Sequence, residues 1–82
     1  NIMRAHQKIE LLKIPLFVEL TNDFIENNFS VVIFVNFTQT LKTLSQLLYT
    51  KSLIYGQQTQ KQRDINIQNF MQNKTRILIC NI

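Results

Sequence analysis

The five-residue run Val31-Val32-Ile33-Phe34-Val35 constrains the fold more than any other stretch. It is uncharged, β-branched and aromatic, and it is bounded by Ser30 and Asn36. A continuous apolar run of that length reads as a parallel strand buried on both faces. Such a strand needs neighbours, and the chain supplies two. Leu53 to Tyr55 is a second short strand, and the apolar run from Arg76 to Ile82 is a third. Between them lie two helical patterns. Leu41, Leu44 and Leu48 mark a helix from Gln39 to about Tyr49, with Thr38 as its expected cap. Arg63, Ile67 and Phe70 mark another from Gln60 to about Asn73, with Ile67 and Phe70 as its buried face. Thr59 and Gln62 have the spacing of a capping box at its start.

Two helical segments precede the first strand. Met3 to Lys13 carries Ile9 and Leu12 as its expected buried stripe, and Pro15 breaks or restarts it. Phe17, Leu20 and Phe24 then form a second stripe, and Asn27-Asn28 suits a helix end because asparagine tolerates the left-handed conformation. The whole order is helix, then strand–helix–strand–helix–strand. That alternation predicts an α/β fold, a parallel sheet with flanking helices. Val31 to Val35 is expected at its centre, with Ile33, Val35, Ile77 and Ile79 nearly inaccessible.

At 82 residues the chain is at most one domain. It starts without methionine and stops in an apolar strand, so it reads as a fragment of something larger. Residues 1–29 are taken as leading helices and 30–82 as the α/β part. The single cysteine, Cys80, excludes an intrachain disulfide and is expected to be a small buried residue. No apolar stretch reaches the ~20 residues of a transmembrane helix, and there is no signal-peptide pattern. An intracellular setting without a membrane partner is expected, nuclear, cytoplasmic or viral. His6 has no ligand-spaced companion and reads as a surface residue.

Charge is uneven. Residues 39–82 carry Lys42, Lys51, Lys61, Arg63, Lys74 and Arg76 against Asp64 alone, within a net charge of +4. A basic half fits an anionic partner. Ligands of parallel sheets bind outside the carboxyl ends of the strands. There the order of elements gathers Asn36, Phe37 and Thr38, then Gly56, Gln60 and Arg63, and finally Asn81. These are amides, hydroxyls and one arginine beside two helix N-termini, a set suited to phosphate. The edge holds no nucleophile–base pair, carboxylate pair or metal cluster. Arg63 has two readings. Its stem can cover apolar surface at the rim while its head meets water, or it can join the helix terminus in holding an external anion.

These residues carry a resemblance. Val-Val-Ile-Phe-Val-Asn-Phe-Thr (31–38) looks like motif IV of the second RecA-like lobe of superfamily-two helicases and translocases. Tyr55-Gly56 followed by Gln60-x-x-Arg63 looks like that lobe's His-Gly…Gln-x-x-Arg element. Arg-Ile-Leu-Ile-Cys-Asn-Ile (76–82) looks like the strand entering motif V, where the segment would be truncated. The variants are most similar to helicases of large DNA viruses and Swi/Snf-type ATPases. Tyr55 stands where histidine is usual, and Asn81 where a hydroxyl is. The resemblance implies an ATP-dependent motor whose lobe grips the phosphate backbone of nucleic acid, DNA ahead of RNA, through Asn36, Phe37, Thr38, Gly56, Gln60, Arg63 and Asn81. It implies ATP and Mg2+ in the full-length protein only, none bound by this segment alone, and a first RecA-like lobe in the same chain as partner. Two other classes stay open: a non-motor phosphate- or nucleotide-binding module, and a basic protein-interaction domain.

Overall fold

A computed structural model of the chain describes residues 2–82, with side chains described from residue 5 onward. The elements are α1 (Ile2–Leu12), α2 (Ile14–Glu26), β1 (Val31–Val35), α3 (Thr38–Leu47), β2 (Leu53–Ile54), α4 (Gln60–Met71) and β3 (Ile77–Asn81). All three strands are parallel, as the alternation predicts, and their order is β1-β3-β2. The centre is therefore β3, not β1. The first crossover skips one strand position, and the second returns into the gap. Right-handed crossovers in opposite directions put their helices on opposite faces, so α3 covers one face and α4 the other.

The core forms under α3, where Leu41, Leu44 and Leu48 meet Ile33 and Val35 of β1, Ile79 of β3 and Ile14 of α2. Ile33, Val35 and Ile79 are inaccessible as expected, while Ile77 is half-buried. On the opposite face Leu78 is buried, but Val32 and Phe34 are exposed. The expectation that β1 is covered on both faces is thus corrected. Contacts of α4 are mainly with β2 and β3. Cys80 lies on this second face, half-buried rather than enclosed, and burial pushes its thiol pKa up.

Three helix faces differ from the periodic reading. In α1, Ile9 and Leu12 are exposed, and the inward residues are Glu10 and Leu11. In α2, the inward stripe is Ile14, Val18, Thr21 and Ile25; Leu20 and Phe24 face out, and Phe17 is at the margin. Both helices carry apolar residues on more than one side, so spacing alone does not select the face. Ile14 of α2 lies in one core with residues of β1, α3 and β3. In α4, Ile67 is exposed and the sheet-facing residues are Arg63, Asn66 and Phe70. Polar bonds set that rotation: Asn66 Nδ2 donates to the Leu53 carbonyl at 2.8 Å.

Glycine is nearly absent from the chain, yet α2, α3 and α4 each end on a left-handed residue: Asn28, Tyr49 and Asn73, with φ of 67°, 54° and 60°. Each is followed by the long backbone bond of a Schellman motif, from Phe29, Thr50 and Lys74 to the carbonyls of Phe24, Ser45 and Asn69. Phe29 also packs edge-to-face on Phe24, with centroids 5.9 Å apart. Asn28 fulfils its expected role. Tyr49 is the strained member, since its side chain is 95% exposed and gains nothing from packing. Tyr49→Gly is therefore expected to stabilise the fold by about 1 kcal/mol, read as a rise of several degrees in melting temperature.

Candidate nucleic-acid interface

The three strands end side by side. Because β3 is central, Asn81 sits between the turn after β1 and the loop after β2. Asn81 Nδ2 donates to Thr38 Oγ1 at 3.3 Å, and the following amide, of Ile82, donates to the Val35 carbonyl at 2.8 Å. Thr38 is not the cap of α3. Phe37 is, and it lends no side-chain bond. The Thr38 hydroxyl instead lies exposed at the strand end, tied to Asn81.

The capping function comes from α1. One carboxylate oxygen of Glu10 accepts from the Asn36 amide at 2.9 Å and from Asn36 Nδ2 at 3.1 Å. Its other oxygen accepts from the Phe37 amide at 3.2 Å. Glu10 is 8% exposed. A buried carboxylate at a helix N-terminus is favoured by the unpaired amides and by the helix dipole. Sequence reasoning missed Glu10, whose only signal is that it is the one acid among the basic residues of the first helix. The consequence for the turn is direct: the donors of Asn36 and Phe37 are already occupied by an internal anion.

After β2 the loop is pinned from two sides. Arg63 Nη2 donates to the Tyr55 carbonyl at 3.0 Å and to the Gly56 carbonyl at 3.3 Å, and Arg63 Nε is buried without a partner among the described residues. The guanidinium thus holds the loop in place rather than covering the rim passively. Gln58 closes the outer edge of β2. Its Oε1 accepts from the Tyr55 amide at 3.0 Å and its Nε2 donates to the Leu53 carbonyl at 2.8 Å. That side-chain amide replaces an absent strand neighbour, which blunts an otherwise open sheet edge. The capping box of α4 is complete: the Gln62 amide donates to Thr59 Oγ1 and the Thr59 amide to Gln62 Oε1, each at 3.2 Å. Gln60 stands apart, exposed, with its Nε2 donating to Asp64 at 3.0 Å. Gly56 is exposed, has no positive φ, and faces open space where a Cβ would lie. The fold itself makes no demand for glycine there.

This three-stranded arrangement, with its strand-end turns in the motif order, agrees with a family match. The helicase conserved C-terminal domain matches residues 12–81. The chain belongs to that family. Over all 82 residues it is 46% identical to a protein of Acanthamoeba polyphaga mimivirus described as a "putative ATP-dependent RNA helicase". The chain spans 15% of that relative's length. No solved structure matches it. The fold is that of part of a RecA-like helicase C-terminal domain, near those of large DNA viruses.

Among the described residues no group of three metal-ligating side chains occurs. No helix of the domain, among the described residues, is long and apolar enough to cross a membrane.

Proposed function

We propose that this helicase domain grips the phosphate backbone of a single nucleic-acid strand along the carboxyl ends of β1, β3 and β2. The observation that carries it is the row formed there by exposed Thr38, half-buried Asn81 and exposed Gly56, with open space in front of Gly56. A glycine that the fold does not need, facing out, suits close approach of another backbone. Thr38 and Asn81 supply the polar contacts, and Gln60 extends the row along α4. Asn36 and Phe37, their donors held by Glu10, shape the rim. Arg63 acts through the Tyr55–Gly56 loop that it holds. ATP and Mg2+ belong to the whole protein, in which a first RecA-like lobe would supply the groups that activate and stabilise the transferring phosphoryl. Family membership favours this motor reading over a free-standing phosphate module or a protein-interaction domain.

RNA takes precedence over DNA in this reading. The mimivirus relative is described as acting on RNA, and nothing supports the initial preference for DNA. The test is binding of labelled ten-nucleotide single strands of RNA and DNA to the intact protein over a salt series. Affinity should fall linearly on logarithmic axes as binding of the strand by the intact protein releases counterions. Asn81→Ala, which releases Thr38, should weaken binding about three- to tenfold, the worth of one neutral hydrogen bond. Salt-independent binding, or an Asn81→Ala protein with wild-type affinity, would remove this edge from the interface.

A further inference from the structure

The amino edge of the sheet, opposite the strand-end row, is also basic. Where α3 gives way to β2 and α4 to β3 lies a cavity of about 410 Å3, lined by Tyr49, Lys51, Lys74 and Arg76 over an apolar floor that includes Leu48 and Ile77. No carboxylate lines it, and Glu26, one residue beyond the lining residue Ile25, is exposed and outside it. The corner is tied together from within. Thr50 Oγ1 donates to the Ile77 carbonyl at 2.9 Å and Ser52 Oγ donates to Thr75 Oγ1 at 2.8 Å, which joins the start of β2 to the start of β3. Arg76 belongs to the same framework, its Nη2 donating to the Phe29 carbonyl at 2.9 Å. Lys51 and Lys74 are exposed, and neither ammonium takes part in a hydrogen bond among the described residues. Tyr49 stands beside them with a φ of 54°, in the left-handed region that Asn28 and Asn73 occupy at the ends of α2 and α4. That conformation is costly for a bulky residue and least so for glycine or asparagine. The ring is 95% exposed and recovers nothing from packing. Strain kept at an exposed position without a structural return points to a use outside the fold.

We infer that this amino edge is a second contact for single-stranded nucleic acid, in which Tyr49 stacks on a base and Lys51 and Lys74 hold adjoining phosphates. An exposed aromatic ring among cations is what a single strand binds without sequence readout, since every base has a face to stack and every link a charge. An acidic polypeptide would use the lysines but has no base to lay on Tyr49, and that ring decides between the two kinds of polyanion. Lysines at this edge also complement the dipoles of α3 and α4, which end here. That role predicts a loss of stability when they are removed, whereas a strand contact predicts a loss of affinity. The site is separate from the strand-end row, because the five residues of β3 set the two edges about 16 Å apart. It does not rest on the grip proposed there, and it lengthens the path of the bound strand over the domain.

The experiment is fluorescence anisotropy of a labelled thirty-nucleotide single-stranded RNA with the intact protein over a salt series, with a thermal melt of each variant. Tyr49→Gly should bind about tenfold more weakly with the salt slope unchanged, although its melting temperature rises. Tyr49→Trp keeps a ring and should keep wild-type affinity. Lys51→Ala and Lys74→Ala should each cost about three- to tenfold and reduce the slope by about one, with melting close to wild type. Lys8→Ala removes an equal charge from α1 and should change neither affinity nor slope. Wild-type affinity in Tyr49→Gly overturns the site, and with both lysine variants weakened it would leave only a general basic surface. Lysine variants that melt lower but bind as wild type also overturn it and return the cations to the helix dipoles. Asn81→Ala reads the other edge. A weakened Tyr49→Gly beside a wild-type Asn81→Ala removes the strand-end grip and keeps this contact, and the reverse result removes this contact alone. If the wild-type protein does not bind the strand at all, both readings fall together.

Discussion

Glu10→Ala is expected to destabilise the domain by about 3–4 kcal/mol, the largest loss from any single polar side chain discussed. The carboxylate accepts three hydrogen bonds, two of them from backbone amides that open α3. Bonds to a charged group contribute roughly 1.5–3 kcal/mol each, but they share one desolvated carboxylate and are not additive. Alanine would remove the acceptor and leave the Asn36 and Phe37 amides poorly solvated beneath α1. Glu10→Gln should cost less, about 2 kcal/mol, because one carbonyl oxygen remains while the new NH2 faces donors. Glu19→Ala, an exposed acid on α2, should be nearly silent. Urea unfolding measures all three. A Glu10→Ala protein within 1 kcal/mol of wild type would mean that water replaces the carboxylate at the turn. For a domain of this size a 3 kcal/mol loss is a large part of the total stability.

Arg63→Ala should cost about 2 kcal/mol and loosen the loop after β2. Two carbonyls, of Tyr55 and Gly56, lose a charge-assisted donor. Arg63→Lys should recover about half, since both bonds come from the single nitrogen Nη2, which an ammonium can replace as a donor but on a shorter stem. The residue therefore reports on stability first and on nucleic-acid affinity only through the loop it holds. Amide exchange at Gln58, whose N–H donates to the same Tyr55 carbonyl at 3.3 Å, should quicken in Arg63→Ala. Unchanged melting and exchange would return Arg63 to the rim role.

Much of the site was legible as a place and little of it as a set of bonds. Thr38, Gly56 and Asn81 were all assigned to one edge because strand ends in a parallel sheet converge by construction. That Asn81 bonds to Thr38 depends on β3 lying beside β1. Glu10 and Gln58 carry as much of the geometry and left almost no trace in the sequence. Lys51 and Lys74 were visible only as members of a basic half, until the fold placed them beside Tyr49.

What the sequence by itself determined is everything set within a few residues. The apolar runs and their 3.6-residue alternates fix the order of elements. Thr59 and Gln62 fix the start of α4 by closing their bonds three residues apart, and Asn28 ends α2 through its own backbone preference. Tertiary structure alone decided the strand order, which faces of α1, α2 and α4 turn inward, and the occupation of the Asn36–Phe37 turn. Each of these depends on groups far apart in the chain: Glu10 is 26 residues from Asn36, and Asn66 is 13 from Leu53. Helical periodicity cannot choose between two apolar stripes of equal spacing. Packing against β1 and β3, and the need to satisfy the polar ends of β2, made that choice.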